Sequence, residues 1–518
     1  MNLFVLAIGG TGSRVLKSMI MQLAAGVVPV DHLGKPIKNL TIVPIIIDPH
    51  NDNAALTSVN RLLEDYRTIR KQLHGDSEVD NGFFAVRIET LKGALSSDLT
   101  RDLDNSFIYK MTSISNTSFE DFLNFDGFRE IEDQLFTQML FSKGELETKM
   151  SEGFYGSPNI GTIALQIFSR EDCPDYQTLR KLNKEDRLFF IGSIFGGTGA
   201  AGMPMLVSTL RNSPGENINK IPYGALVMMP YFRIETDTES PINEADFYIK
   251  TATALDYYID NFNKYVNSIY YVADTELPRE FPNDPGKGKQ VGNKSHIAEF
   301  IGGMSIFHFL SQNFAENEIY KKDKDGETTI AGETKGYHYT IESGENRNPN
   351  HITLIDIDKD TRKVLALPMM KFHLLIRYIQ KHLSSNENKE AFASQNGITK
   401  SSLAKEFNDL MEEYDRWLFE MSDHGSGAHN LNLFMDTEGE EYNRLFNDIE
   451  PKKGGFPRKK DVTLDLKSIH NAFNNEQAKW RSNNGLEEYT HTAKLLKLAA
   501  PALENVIKEK LELKNVGL

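Results

Sequence analysis

The 518-residue chain contains a single cysteine, Cys173, and no long run of apolar residues. One thiol excludes a disulfide framework or a thiolate-bound metal cluster within the chain, and we therefore expect a reducing, cytoplasmic compartment. The apolar runs fall far short of the roughly 20 residues that span a bilayer. The opening residues, MNLFVLAI, lack a basic segment, so we interpret them as a first strand and not as a signal peptide.

Positive charge is also scarce, because 58 lysine and arginine residues stand against 73 aspartate and glutamate residues, a net charge of −15. An acidic chain binds poorly to the phosphates of nucleic acids and to anionic lipids. We therefore predict no nucleic-acid partner and no direct membrane insertion. With 40% apolar and 25% charged residues, the composition is that of a globular chain, and the length of 518 residues predicts two to four domains.

Short apolar runs alternate with helical patterns over the first 300 residues. The runs at 40–47 (LTIVPIII) and 187–193 (RLFFIGS) are apolar on both faces, as buried parallel strands are. This alternation predicts an α/β fold with a doubly wound parallel sheet that helices cover on both faces. Residues 93–150 are predicted to form a helical insertion, and 279–294 and 321–350 are predicted to be loops.

After a predicted strand at 351–356 the pattern becomes helical. The helical segments predicted there are 366–384, 400–422, 465–482 and 486–513. We therefore divide the chain into an α/β unit, 1–315, and a C-terminal region, 316–518, which is mixed at first and then largely helical.

Two glycine-rich turns follow buried strands and precede helical patterns. The first turn consists of Gly9, Gly10, Thr11, Gly12 and Ser13. The second consists of Gly196, Gly197, Thr198 and Gly199. Since the carboxyl ends of parallel strands meet at one edge of a sheet, both turns are expected to flank one crevice. Either turn alone could simply serve close packing, but the pair favours a ligand site.

The chemistry of the two turns favours phosphate. Backbone N–H groups at a helix N-terminus bind phosphate groups, and glycine lets the backbone approach closely. Neither turn carries the lysine of a P-loop, so backbone amides, helix dipoles and Mg²⁺ would have to neutralise the phosphate charge. The spacing Gly10-x-Gly12 matches only part of the dinucleotide fingerprint, which also requires a third glycine and a later acidic residue.

An ordered set of short motifs resembles the tubulin and FtsZ family of GTPases. Residues 196–199 resemble the family's glycine-rich signature loop, and residues 7–13 are similar to its first phosphate loop. Further similar segments follow the family's order along the chain: 48–56, 153–161, 229–232, 268–277 and 296–309. The resemblance therefore covers roughly 1–60 and 150–315.

The resemblance implies GTP or GDP as the ligand, with Mg²⁺, and it implies nucleotide-binding residues beyond the two turns. These residues are Asp48, Gly156, Ser157, Asn159, Glu235, Asn243, Asp274 and Phe300. Asp48 would lie near Mg²⁺ or a phosphate-bound water, and residues 156–159 would contact the γ-phosphate. Glu235 or Asn243 would reach the ribose. Asp274 would accept hydrogen bonds from guanine, and Phe300 would stack on the base. The residues alone leave open that Asp48 and Asp274 are turn residues and that Phe300 belongs to the core.

The resemblance also implies head-to-tail assembly, in which a neighbouring subunit completes the site and orients the water that hydrolyses GTP. The acidic string that serves this role in the family has no match after Phe309. Asp356 and Asp358 are weak candidates, so the catalytic residue is unknown and the enzyme question stays open. No side chains are predicted to form a metal site of their own.

Three functions are compatible with these observations. The first is a cytoplasmic tubulin/FtsZ-like GTP-binding protein that assembles into a cytoskeletal filament in a nucleotide-dependent way, with slow GTP hydrolysis at the subunit interface and unknown protein partners. The second is a non-polymerising nucleotide-binding switch or scaffold with a degenerate catalytic loop. The third is a dinucleotide-dependent oxidoreductase on a doubly wound sheet, which the incomplete fingerprint disfavours.

Overall fold

A parallel β-sheet forms the centre of the protein. The computed structural model describes residues 1–49, 54–95, 100–111, 114, 117–150, 154, 157–214, 217–234, 244–274, 280–281, 294–341, 351–352, 362–383, 396–422, 430–431, 466–481 and 488–510. The strands of the central sheet are β1 (Asn2–Ile8), β2 (Thr41–Ile47), β3 (Arg87–Ile88), β4 (Ile108–Tyr109), β5 (Arg187–Ser193), β6 (Tyr223–Met228), β7 (Ser268–Asp274) and β8 (Lys335–Ile341). All of their pairings are parallel.

The order of the strands across the sheet is β8-β7-β6-β5-β1-β2-β3, and β4 also pairs with β2. The chain runs outward from β1 to β3 on one side, returns to β5 beside β1, and runs outward to β8 on the other side. The direction of strand addition therefore reverses between β1 and β5. Their carboxyl ends lie side by side, since Ala7 pairs with Ile191.

Helices account for most of the remaining described chain. The longer ones are α1 (Gly9–Ala24), α2 (Ala54–His74), α3 (Gly197–Arg211), α4 (Glu244–Tyr257), α5 (Ile297–Ser311), α6 (Leu367–His382), α7 (Lys405–Ser422), α8 (Leu466–Arg481) and α9 (His491–Lys510). Shorter helices are Leu91–Ala94, Phe119–Leu123, Ile131–Leu140, Lys143–Leu146, Pro158–Ala164, Pro174–Leu179 and Glu316–Ile319. Small strand pairs join Lys321–Lys322 to Thr328–Thr329, Arg233–Ile234 to Glu280–Phe281, and His351–Ile352 to Asn430–Leu431.

Two apolar cores cover the two faces of the sheet. Along β1, Leu3, Val5 and Ala7 belong to one core, which also contains apolar side chains of α1, α2, α5 and the C-terminal helices. Phe4, Leu6 and Ile8 of the same strand belong to the other core, which contains those of α3. Successive side chains of a strand point to opposite faces, so β1 is buried on both sides. The prediction of an α/β fold with a parallel sheet is confirmed.

The structure corrects two predictions about the sheet. Residues 321–350, predicted to be a loop, contain β8, the outer strand of the sheet. Residues 93–150, predicted to form a helical insertion, also contribute the short strand β4. Both strands were missed because β4 is only two residues long and β8 is a half-exposed strand among Gly, Asn and Lys residues. The sheet therefore continues past residue 315, where we predict the first unit to end.

The C-terminal helix α7 packs on the helices of the sheet. Lys17 of α1 pairs with Glu413 at 2.5 Å, and the Trp417 indole donates a hydrogen bond to the Ser18 hydroxyl at 3.1 Å. The C-terminal region and α1 therefore share one core. Among the described residues, none of the helices combines the length and the apolar character needed to cross a bilayer.

Candidate functional site

The two glycine-rich turns lie side by side at the carboxyl ends of β1 and β5. A Cβ atom built on Gly9 would lie 3.3 Å from the Cβ of Thr198 and 3.4 Å from the backbone nitrogen of Gly199. Gly9 has a φ of +74°, a conformation that favours glycine and turns the chain from β1 directly into α1. The structure thus brings both turns to one edge, and we call residues 9–13 and 196–199 together the glycine cradle.

Each turn of the glycine cradle presents the N-terminus of a helix. Neither α1 nor α3 has a side-chain cap or an acidic residue in its first turn. Because the first four N–H groups of a helix have no carbonyl partner within it, both helix starts offer backbone donors and the positive end of a helix dipole. The two helices approach this edge from opposite faces of the sheet. The arrangement is suited to an anion.

The glycines of the cradle have two different environments. A Cβ on Gly12 would lie 2.8 Å from the carbonyl carbon of Ala7, and one on Gly199 would lie 2.7 Å from the backbone nitrogen of Ser193. These two glycines are required for close packing. Gly10, in contrast, has no neighbouring atom within 4 Å of its Cβ position. Its backbone therefore borders open space and is accessible to a ligand.

Arg14, which follows the first turn, connects the cradle to α5. Its guanidinium lies 2.5 Å from Glu299, which is 1% exposed, and donates a hydrogen bond to the Lys294 carbonyl at 2.8 Å. Burial alone would lower the pKa of Arg14, but the negative charge of Glu299 and its hydrogen bond raise that pKa above its ordinary value. Arg14 is therefore charged, and its charge is directed to Glu299.

Tyr231 completes this polar connection. Its hydroxyl donates to Glu299 at 2.9 Å and also hydrogen-bonds the Thr11 side chain. Burial raises the pKa of Tyr231, so the phenol stays neutral and can donate. The rings of Phe195 and Phe232 lie 6.2 Å and 4.9 Å from the Tyr231 ring. The first turn is thus held by a buried hydrogen-bonded network as well as by packing.

The two residues predicted to contact the base lie in the interior. Phe300 is 2% exposed, and its ring centroid lies 6.0 Å from that of Trp417, so base stacking by Phe300 does not fit this packing. Asp274 ends β7 and is 4% exposed, with its carboxylate 3.3 Å from the His296 ring nitrogen. A contact between Asp274 and guanine would require this pair to open. The structure therefore offers no base-reading side chain at either position.

The residues predicted on the γ-phosphate side lie close to the second turn. Ser157 and Asn159 belong to the start of the helix Pro158–Ala164, and Asn159 is exposed. A Cβ on Gly161 of this helix would lie 2.8 Å from the Ala201 Cβ and 3.1 Å from the Gly197 carbonyl oxygen. The helix therefore packs directly on the start of α3, which places Ser157 and Asn159 beside the glycine cradle.

Asp48 follows the carboxyl end of β2 and is 5% exposed. β2 is the neighbour of β1 on the side opposite to β5. Asp48 therefore lies at the edge of the sheet where a cation would bind, and its burial is equally compatible with a residue that stabilises a turn.

Several predicted residues lie outside the part of the chain that the structure describes: Gly156, Glu235, Asn243, Asp356 and Asp358. Their predicted roles stay predictions.

The sequence reasoning missed the network of Arg14, Tyr231 and Glu299. A signal was present, because Glu299 is the single acidic residue in the apolar segment IAEFIGGMSIFHFL. An isolated carboxylate on a buried helix needs a cationic or hydrogen-bonding partner. The pattern does not say which of the many distant arginines or tyrosines supplies it.

Comparison with known proteins does not identify a family for this chain. Neither a scan against models of protein families nor a search of curated proteins finds a match for this chain. The class of ligand therefore has to be inferred from the chemistry of the glycine cradle and from the motifs of the sequence.

Proposed function

We propose that the glycine cradle binds the phosphate groups of GTP or GDP, and that the chain is a tubulin/FtsZ-like GTP-binding protein. The observation that carries the proposal is the contact between Gly9 and Thr198, which brings two uncapped helix N-termini to one edge of the sheet. This point of the edge lies where the order of the parallel strands reverses, between β1 and β5. Doubly wound sheets bind nucleotides at such a reversal.

The residues of the cradle fit a chain of phosphates. Backbone N–H groups of residues 9–13 and 197–199 would hold the phosphate oxygens, and the half-buried Thr198 hydroxyl would add a hydrogen bond. Arg14 is committed to Glu299, so a bound Mg²⁺ would supply the positive charge that the cradle itself lacks. Within the described residues, no cluster of His, Cys, Asp or Glu could hold a metal alone. In this proposal Mg²⁺ would bind mainly through phosphate and water oxygens.

Nucleotide-dependent head-to-tail assembly is the second part of the proposal, and it comes from the family resemblance. In such an assembly a neighbouring copy supplies the acid that orients the attacking water. Asp356 and Asp358 are weak candidates for that acid. We therefore propose binding and assembly, and we leave slow GTP hydrolysis as an outcome to be measured.

One set of contacts favours a second candidate, a non-polymerising nucleotide switch. The C-terminal helix α7 is bonded to the helix that begins at the cradle, through Lys17 and Glu413, and to the start of α5. There the backbone and hydroxyl of Ser295 donate to Glu420 at 2.9 and 2.8 Å. These contacts connect α7 to α1 and α5, so α7 is the element that would report the bound nucleotide in a protein that forms no filament.

Isothermal titration calorimetry with GTP, ATP and NADH, each with Mg²⁺ where appropriate, tests the ligand class. The family resemblance leads us to expect that GTP binds more tightly than ATP. We also expect Gly197→Trp, which adds an indole at the first residue of α3, to abolish binding. Gly144→Trp is the matched control, because Gly144, in the helix Lys143–Leu146, is exposed and has no neighbour within 4 Å of its Cβ position. Failure to bind either triphosphate would reject the proposal, and binding of NADH alone would favour the oxidoreductase.

Sedimentation velocity with GTP, with GDP and without nucleotide tests assembly. Large species that form only with GTP support the filament. Nucleotide binding without any large species across a wide range of protein concentrations supports the switch. Phosphate release measured in the same samples shows whether the bound GTP is hydrolysed.

A further inference from the structure

The helix Ile131–Leu140, which we call the insertion helix, presents its apolar side to solvent. Its exposed apolar residues, with their exposed fractions, are Ile131 (61%), Leu135 (53%), Phe136 (62%), Met139 (84%) and Leu140 (55%). The polar residue Thr137 is 9% exposed and faces the protein. A surface helix normally buries its apolar stripe and exposes its polar side. The insertion helix instead exposes its apolar side chains together with Glu132, Asp133 and Gln138, and only Thr137 of its residues is buried.

The insertion helix is held in this orientation from its ends. Phe141, which follows it, is 7% exposed and packs on Phe119, with the ring centroids 5.0 Å apart. At the other end, the Gln134 side-chain amide donates to the Phe128 carbonyl. The five exposed apolar side chains belong to neither of the two cores of the described chain. They are therefore available for contacts with another molecule.

The apolar area is large for a surface that stays exposed. At about 200 Å² for a large apolar side chain, the five residues expose roughly 600 Å². That value lies at the upper limit for the largest apolar patch of a monomeric protein. It also approaches the roughly 800 Å² that each partner buries in a stable protein–protein interface.

The charge around the insertion helix indicates the kind of partner. Residues 117–150 contain eight acidic and only three basic residues. Glu130, Glu132 and Asp133, at the start of the helix, are all exposed. Two copies of this acidic surface would repel each other, and so would this surface and an anionic membrane. A partner with apolar and basic side chains matches both its apolar area and its charge.

We propose that the insertion helix is a docking surface for a basic amphipathic helix of a partner protein. The apolar side of the partner helix would cover Leu135, Phe136 and Met139, as amphipathic helices cover apolar surfaces in known complexes. Its lysine or arginine residues would lie against Glu130, Glu132 and Asp133. This function goes beyond nucleotide binding, and it does not depend on it.

Fluorescence anisotropy on the full chain tests the proposal with a labelled model peptide, LKKLLKLLKKLLKL. The control peptide has glutamate in place of every lysine. We expect the basic peptide to bind, its affinity to fall with added salt, and the acidic peptide to bind about tenfold more weakly or less. The double variant Leu135→Gln, Met139→Gln should weaken binding of the basic peptide about tenfold or more.

Leu33→Gln is the matched control for this variant, because Leu33 is an exposed leucine, at 66%, outside the insertion helix. Thermal unfolding of the variants should coincide with that of the parent, since the substituted side chains are exposed. The Gly197→Trp variant should bind the peptide normally, so failure of the nucleotide proposal would be distinguishable from failure of this one.

Three results would overturn the proposal. The first is equal binding of the basic peptide to the parent and to the double variant. The second is a dimer of the parent that the double variant abolishes in sedimentation equilibrium, since a second copy would then cover the helix. The third is flotation with phosphatidylcholine vesicles that the double variant loses, because the helix would then face a lipid surface.

Discussion

The two glycine turns are held in place in different ways. The first turn begins with a residue of positive φ directly after β1, and side chains connect it to α5. The second turn follows β5 through an extended segment and is held by packing between backbone atoms. Gly9 has a φ of +74°, and Arg14 and Thr11 connect the first turn to Glu299 and Tyr231. In the second turn, Gly196 has a φ of −90°, and the Cβ position of Gly199 lies 2.7 Å from the backbone nitrogen of Ser193.

This difference shows that glycine serves two purposes within one site. Gly12 and Gly199 lie where a Cβ would strike backbone atoms, so the fold itself requires them. Gly10 borders open space, so the fold does not require a glycine at this position. A ligand bound close to the backbone would require one. Substitutions at a packed glycine and at an open glycine therefore test the structure and the proposed function separately.

The largest expected effect is the loss of nucleotide binding in Gly10→Trp. The indole would occupy the space that we assign to phosphate, and affinity for GTP should fall more than about a hundredfold. The melting temperature should stay near that of the parent, because the Cβ position has no close neighbour. Calorimetry and circular dichroism measure the two quantities, and unchanged binding in this variant would remove the first turn from the site.

Arg14→Met should have the next largest effect, on stability. Removing the guanidinium leaves the buried Glu299 carboxylate without its cation, which should cost about 3 kcal/mol of unfolding free energy. Urea unfolding measures the change. The double variant Arg14→Met, Glu299→Gln should recover part of the loss, because the amide carries no charge. Additive losses in the double variant would show that the two side chains are not coupled.

Gly199→Ala should lower the unfolding free energy by about 2 kcal/mol. The added methyl would lie 2.7 Å from the Ser193 nitrogen and 2.9 Å from its oxygen, and backbone atoms cannot move aside easily. Gly144→Ala, at a helical position without close neighbours, should be neutral or slightly stabilising. The same urea experiment compares them, and equal stability of the two variants would contradict the difference between packed and open glycines.

The smallest expected effect distinguishes the two threonines of the cradle. Thr198→Val keeps the shape of the side chain but removes the hydroxyl that we assign to phosphate, so GTP affinity should fall about fivefold to tenfold. Thr198→Ser should retain it. Thr11→Val should change affinity less, because the Thr11 side chain is already bonded to Tyr231. A larger effect of Thr11→Val than of Thr198→Val would reverse the roles proposed for the two turns.

The parts of the fold that could be predicted are those with a strong local signal. The runs that became β2 and β5 are apolar on both faces, and the helices α6 to α9 follow a clear helical period in the sequence. β8 had no such signal, because a strand at the edge of a sheet is half exposed and keeps its polar residues.

The site was predictable only in part, because only some of its features have a local signal in the sequence. Each glycine turn could be recognised because a strand, a glycine turn and a helix follow one another without interruption, over residues 2–24 and 187–211. The position of Phe300 could not be predicted, because an apolar residue on an apolar helix gives no indication of whether it faces a ligand or Trp417. The charged connection between Arg14 and Glu299 joins residues far apart in the chain, and no local pattern specifies such a pair.

The amino-acid sequence by itself determined a parallel α/β sheet and two glycine turns that each end a buried strand, because hydrophobic period and turn chemistry act over a few neighbouring residues. Only the tertiary structure decided that Gly9 meets Thr198, that Phe300 is enclosed in the core, and that the insertion helix turns its apolar side outward. These arrangements depend on which distant residues pack together, and that is settled by the chain as a whole.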